Sequence, residues 1–344
     1  MGGIGAYPED MRATMADIAR ETGLTLGTVS RALNTEGKYA IASETRERVL
    51  AIASRLGYRP NIIGRALAAG SASLILLISP DPFAPYYIEI SRHLSAQAAL
   101  HGYTFLSGGT RMVTGTAGVP ANDWLYGVDG MVVCDYLPHQ EAYILEALRL
   151  KIPIVGLGFR HPFPTDFVKI DLHAAVRDLL DHMLDSGCQN LAMLSSPGTN
   201  PEEDPRLSTY FETVKAVGME PNVLITRDQS RASGRQAIHD SFAAHGPIDG
   251  LFCENDILAM GAYRGLTDLG IRVPGDVLLA GCDGVEDALY QFTPITTLVQ
   301  PFERMCVLAW SLLQKRIEGH DEPPQIREVS AVLQKRASTE RSKN

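Results

Sequence analysis

Apolar positions change their period along this chain, and the change divides it. Between Thr14 and Leu33 they recur at helical spacing in two short bursts. Ile18, Ala19 and Thr22 form one stripe, and Leu26, Val29, Ala32 and Leu33 form the next, with Gly23 between them. Two helices joined at a glycine turn predict a helix-turn-helix. Thr14 and Thr25 stand where N-caps belong, and Asp17 puts negative charge in the first turn of its helix. A third helix is predicted from Ser43 to about Leu56, where Gly57 stops it.

Past Gly70 the pattern becomes short apolar runs alternating with amphipathic stretches. The runs at 73–79, 130–134, 152–157, 191–195, 250–253 and 277–281 predict buried strands. The stretches 86–101, 140–150, 173–186, 205–217, 231–245, 256–269 and 302–317 predict helices. Such alternation predicts parallel sheets with helices on both faces. The strands are too many for one compact sheet, so two similar α/β subdomains are expected. Residues 107–122, rich in Gly and Thr, read as a loop.

Composition fits this division. The chain has 344 residues, 45% of them hydrophobic and 21% charged, enough for a small module and a larger ligand-binding one. Its net charge of −9 looks wrong for a nucleic-acid binder until it is divided. From Arg12 to Gly70 there are nine Lys/Arg against five Asp/Glu, a local +4 that leaves −13 for the rest. A basic head on an acidic body suits a protein whose phosphate contacts are confined to one end. On the second helix Leu26, Gly27, Thr28, Ser30, Arg31 and Asn34 face outward, and an arginine on a groove-sized helix can read guanine. A three-helix core without a DNA role is the plainer alternative.

The five cysteines, Cys134, Cys188, Cys253, Cys282 and Cys306, are odd in number and lack close spacing. Neither a disulfide framework nor a zinc site is expected, and no cofactor. The first 13 residues lack an apolar stretch of signal-peptide type, and no apolar run reaches about 18 residues. A cytoplasmic protein with no membrane partner is therefore expected. Catalytic motifs are missing too: no nucleophile elbow, phosphate loop, dinucleotide fingerprint or metal-spaced histidine pair occurs. An enzyme is not expected.

The run Thr28-Val29-Ser30-Arg31-Ala32-Leu33-Asn34, the pair Thr45-Arg46 and the segment Tyr58-Arg59-Pro60-Asn61 resemble the N-terminal signature of the lactose/galactose repressor family of bacterial transcription regulators. The likeness continues more loosely through nearly the whole chain. It implies an N-terminal all-α helix-turn-helix DNA-binding domain over 12–58 and a hinge over 59–70. An α/β periplasmic-binding-protein-like effector domain of two parallel-sheet subdomains then follows over 71–344. The N-subdomain would take about 71–169 and 300–326, the C-subdomain about 170–298 and 327–336, with crossings near 168–171, 297–301 and 325–328. The implied DNA-facing set adds Thr14, Thr25, Thr45, Asn61, Gly64 and Leu67 to the recognition-helix residues. In the family a hinge-helix leucine wedges the minor groove, and Leu67 holds that position. Gly64 replaces a small residue, usually alanine, and costs about 1 kcal/mol of helix propensity.

By the same resemblance the effector cleft would be lined after successive strands. Phe83, Tyr86, Tyr87 and Tyr136 would supply apolar wall, or pack at helix and loop starts. Arg160 reads as a surface arginine or a cleft residue. Arg206 matches a family arginine that holds hydroxyls or carboxylates. Asn255 would face the cleft while Asp256 caps the next helix. Asp283 would accept from a sugar or cap the following turn, and Gln300 and Phe302 lie at a crossover. Asp171-Leu172-His173 departs from the family's pattern, and Gln229 stands where a member of the family stacks a tryptophan on its sugar. The expected function is a ligand-responsive DNA-binding regulator, a repressor, that acts on a palindromic double-stranded operator as a homodimer. Its small polar effector would be a sugar or derivative, with a nucleobase or carboxylate metabolite as alternatives. The short polar tail 336–344 lacks leucine heptads, so a coiled-coil tetramer is not expected. The competing reading is a solute-binding protein of the same body fold, without a DNA role.

Overall fold

The computed structural model describes residues 13–33, 41–58, 73–109, 125, 127–244 and 247–341. Two compact units divide at Ala72/Ser73.

The first unit holds α1 (Met15–Thr22), α2 (Leu26–Leu33) and α3 (Ser43–Arg55). Thr14 and Asp17 close a capping box that satisfies donors at the start of α1. Gly23 ends that helix at φ 67°, a left-handed conformation that a side chain would resist. Thr25 then accepts the backbone N–H of Thr28 at 3.3 Å and opens α2. Ile18, Val29, Ala32, Val49 and Ala53 bury their side chains together and fix the three helices. Leu26, counted on the inward stripe above, is 53% exposed and belongs to the outer face alone. Arg48 donates to the Thr22 carbonyl and Arg55 pairs with Glu21, tying α3 to the end of α1.

The second unit contains two six-stranded sheets. Its elements are β1 (Leu74–Ser79), α4 (Pro85–Leu100), β2 (Thr104–Gly109), β3 (Gly130–Cys134), α5 (Glu141–Arg149), β4 (Ile154–Gly158) and β5 (Asp166–Asp171). Then come α6 (His173–Asp185), β6 (Leu191–Ser195), α7 (Pro205–Ala216), β7 (Asn222–Ile225), α8 (Arg231–Ala244), β8 (Gly250–Cys253), α9 (Asp256–Asp268) and β9 (Leu278–Asp283). The chain ends with α10 (Glu286–Leu289), β10 (Thr296–Val299), α11 (Phe302–Ile317), β11 (Ile326–Ser330) and β12 (Val332–Gln334). The first sheet has the order β11-β5-β4-β3-β1-β2 and the second β12-β10-β9-β8-β6-β7. All pairs are parallel except β10 with β12.

The chain crosses from the first sheet to the second between β5 and α6, and returns between β10 and α11. The third crossing falls at Ala331 and not near 325–328, because β11 stays in register with β5 through Ser330. Residues 107–109 are the end of strand β2, not loop, paired with β1 from Leu77 to Ser79. The rest of that stretch lies outside the described residues. Among them, no helix is long and apolar enough to cross a membrane.

Parallel topology decides where a site can form. Every parallel strand in a sheet ends at the same edge, and here the carboxyl ends of β1, β3 and β4 border one cavity together with those of β6, β8 and β9.

Candidate functional site

Three buried strands carry a cysteine-acid pair at their carboxyl ends: Cys134-Asp135 at β3, Cys253-Glu254 at β8 and Cys282-Asp283 at β9, whose last residue is the acid itself. The thiols point into the core, all of them buried, and the acids emerge at the sheet edge. Asp135 and Asp283 both have left-handed backbone, φ 48° and 120°. For a non-glycine residue that conformation costs about 1–3 kcal/mol and persists only where surrounding structure enforces it. The two strained acids belong to different sheets and line the same cavity, of about 1100 Å³.

Asp256 enforces the conformation of Asp283. Its carboxylate lies at the base of α9 and accepts from the N–H groups of Gly284 and Val285 at 2.8 and 2.9 Å and from the Thr297 hydroxyl at 2.7 Å. Asn255 is the residue that caps α9, accepting from Leu258 N–H at 2.8 Å. Asn255 thus faces the cleft as expected and also caps α9, while Asp256 holds the turn after β9 instead of capping the helix. A carboxylate has four acceptor sites, so it can hold a whole turn where an amide oxygen caps one donor. The Asp283 carboxylate turns to the cavity and accepts from Gln300 Nε2 at 2.9 Å. Burial lifts the Asp256 pKa to about 7. Burial and the nearby Asp256 push that of Asp283 well above the carboxylate range, against the pull of Arg206.

On the other lobe desolvation raises the Asp135 pKa to about 6, opposed by Arg206 and by the nearby Tyr87 hydroxyl. Its Oδ1 lies over Gly158, where any Cβ would come within 2.2 Å of it. Tyr86 and Tyr87 meet edge to face at 5.0 Å, and Tyr86 leans on Phe302 at 5.5 Å. Tyr136 packs edge-on to Phe163 at 5.2 Å. Phe83 is 72% exposed at the rim.

Arg206 is largely buried and uses three of its five N–H donors. Nε and Nη2 fork onto the two oxygens of Asp204 at 2.9 and 2.5 Å, and Nη1 donates to the Glu254 carbonyl at 2.6 Å. Its plane lies 5.1 Å from the Phe159 ring centroid. The Glu254 side chain accepts from Ser195, Ser196 N–H and Thr199 on one oxygen and from Gln229 on the other. Gln229 thus fastens the 195–199 loop rather than offering a stacking face. Arg160 reaches across the mouth of the cavity to Glu203 at 2.6 Å, joining the segment after β4 to the one before α7.

All nine residues singled out for the cleft, from Phe83 to Gln300, line this one cavity. Asp135 follows a strand in the sequence and reads as a cleft or loop residue, whereas Asp204, Glu203 and Glu254 were missed. The repeated cysteine-acid pair at strand ends was the signal available in the sequence. In the first unit, Thr14, Thr25, Leu26, Gly27, Ser30 and Arg31 are exposed, whereas Thr28 and Thr45 are half-buried. Arg31 Nε donates back to the Gly27 carbonyl at 3.0 Å. Asn34, Asn61, Gly64 and Leu67 lie outside the described residues. No metal-binding cluster occurs among the described residues.

Comparison with known proteins agrees with both units. Residues 14–61 match the model of bacterial regulatory proteins of the lacI family, and 180–339 match a periplasmic binding protein-like domain. The ribose operon repressor of Halalkalibacterium halodurans is 28% identical over 335 residues, covering 96% of this chain and 98% of that protein. The transcriptional repressor CytR of Escherichia coli is 27% identical over 317 residues, covering 91% and 92%. Among solved structures, the lac repressor dimer bound to operator and an anti-inducer superposes with a TM-score of 0.79 at 24% identity, covering 95% and 99%. The family is one of transcriptional regulators and not of enzymes. With a capped helix-turn-helix ahead of a two-sheet body, this chain belongs to the LacI family of bacterial regulatory proteins and is a DNA-binding transcriptional regulator.

Proposed function

We propose that the protein represses transcription as a homodimer on a near-palindromic operator, in the cytoplasm and without enzymatic activity, and that a small polyhydroxylated effector in the body's cleft controls it. The observation that carries the effector reading is the placement of Asp135 and Asp283, both in strained backbone at facing strand ends, the first half-buried and the second buried, with Asn255 and Gln300 beside them. A protein holds two carboxylates in costly backbone on opposite walls of a cavity where a ligand meets both. The tyrosine wall adds the apolar surface that a sugar ring's C–H face prefers. A relative named for a ribose operon points to the same ligand class.

A ligand gripped by both lobes favours their closed arrangement, and closure is how the site would reach DNA. On the DNA side Arg31 would read a base edge, Ser30 and the exposed threonines would meet phosphate or base, and Leu67 would wedge the minor groove. The test is an operator selected from random duplexes, followed by titration with sugars. Arg31→Ala is expected to cost roughly 1–3 kcal/mol of discrimination at one base pair per half-site. Asp283→Ala should abolish the effector's influence on operator binding. An equal loss on operator and random DNA would make Arg31 a phosphate contact, and an unchanged effector response in Asp283→Ala would remove the cleft assignment.

A further inference from the structure

The cleft's inventory of donors and acceptors goes further than a generic polyol. Among the described cleft residues Arg206 is the enclosed cation, and its three nitrogens are committed to Asp204 and the Glu254 carbonyl. Arg160, Arg227 and Arg231 are exposed at the mouth. Against one enclosed cation stand three acids on the cavity wall, Asp135, Asp204 and Asp283, with Glu254 buried behind it. Asp204 is matched by Arg206, and Glu254 has four donors of its own from Ser195, Ser196, Thr199 and Gln229. Asp135 and Asp283 remain, one on each lobe, close enough for Asp135 to disfavour the charge of Asp283.

A second observation is independent of charge. Gln300 is 2% exposed, lines the cavity, and its Oε1 has no hydrogen-bond partner. Its amide cannot be turned to donate there, since Nε2 is already committed to Asp283 Oδ1. A buried acceptor left unmade costs about 1–3 kcal/mol, so the site expects a donor at that point. Asp283 and Gln300 together thus present acceptors to the cavity floor, with Asp135 facing them.

A hydroxyl brings one donor along with lone pairs that need donors in turn. An ammonium brings three donors, no acceptor and a positive charge. We propose that the cleft takes a polyhydroxylated effector carrying a protonated amine, seated on Asp283 and Gln300 and facing Asp135. The proposal rests on the effector reading of the cleft. An ammonium seated on Asp283 favours the ionised form of that acid, whereas a sugar phosphate or uronate would be buried beside acids with no free counter-charge. Arg206, read from the sequence as equally suited to an anion, is neutralised by Asp204 before any ligand arrives.

The experiment is calorimetric titration of the full-length protein at pH 7.5 with matched ligand sets: an amino sugar, its neutral parent, its N-acetyl form and its phosphate ester. Glucosamine, galactosamine and an amino-pentose supply three sets. In the set of the fitting stereochemistry, the amine is expected to bind at least tenfold more tightly than the neutral parent. Acetylation, which removes the charge and keeps the ring, should abolish that gain. Asp283→Asn should bring the amine-to-neutral ratio close to one, with Asp135→Asn as the second variant should the first unfold. A neutral parent or a phosphate ester that binds as tightly as its amine overturns the proposal and leaves the effector reading standing. Heats that are flat for every member of all three sets overturn both.

Discussion

The two lobes that border the cleft solve the same problem with different materials. The first-sheet lobe presents a wall of rings, Tyr86, Tyr87 and Tyr136, interrupted by the acids Asp81 and Asp135. The second-sheet lobe presents a polar lattice of Asp204, Arg206, Gln229, Glu254, Asn255, Asp256 and Asp283, in which most groups satisfy one another. A ring wall is tolerant, since edge-to-face contacts survive small shifts. A lattice of buried charges is not, since removing one member strands the rest in a medium that cannot solvate them. The second lobe should therefore be the more brittle, and the first should tune affinity with little effect on folding.

The largest break in that comparison is Arg206→Ala. It strips Asp204 of its guanidinium partner, leaving it the backbone N–H of residue 206 at 2.9 Å, and takes the Nη1 donor from the Glu254 carbonyl, in a site where the arginine side chain is 12% exposed. Breaking a buried pair by removing one partner costs roughly 3–5 kcal/mol. Urea denaturation should show a loss of that size. Tyr87→Phe on the opposite lobe, which removes one hydroxyl, should cost about 1 kcal/mol. Equal losses would mean that the lattice is no more cooperative than the wall.

Next in size is a pH effect carried by the acids themselves. Asp135 and Asp256 have folded-state pKa values raised to about 6 and about 7 by burial. For an acid so raised, the folded state holds its proton longer than the unfolded chain does. Its contribution to stability is fully present below the unfolded value near 4, and is lost as pH rises through the folded value. Between about pH 4 and 7 these two groups should thus lower the stability of the body. Asp135→Asn should flatten the pH–stability curve over pH 4–6 and gain roughly 3 kcal/mol over the native protein at pH 7–8. Asp256→Asn should not show that gain, because an amide cannot accept from Gly284, Val285 and Thr297 together. A curve for Asp135→Asn parallel to that of the native protein would show that Asp135 ionises freely.

The same contrast explains what could be read without coordinates. Central strands such as β3, β8 and β9 are buried on both faces, so they announce themselves as unbroken apolar runs. Strands β2 and β7 lie at sheet edges, and β7 (Asn222–Ile225) is mostly half-buried or exposed, so no such run marks it. Strand β10 went unread for another reason: its Thr296 and Thr297 are buried polar residues whose hydroxyls serve Arg336, Thr339 and Asp256. In the cleft, Asn255 and Asp283 were legible as polar residues at strand ends. What each one accepts from was not, since Asp256 meets its partners 28 to 41 positions away and no local pattern encodes that pairing.

The smallest expected effect tests whether the lobes communicate outside the buried lattice. Arg160 and Glu203 join the lobes across the cleft mouth, with side chains 49% and 45% exposed. Exposed pairs contribute about 0–1 kcal/mol and fade with salt, so Arg160→Ala should leave global stability almost unchanged. The pair can form only while its two segments are close, and so it favours the closed arrangement by that small amount. Removing it should weaken effector affinity by a factor of about two to five at low salt, with the difference vanishing near 0.5 M salt. The measurement is effector titration of native protein and variant at two ionic strengths. A salt-independent loss would mean that Arg160 touches the ligand itself, and the first lobe would then hold a direct cationic contact as well as its wall of rings.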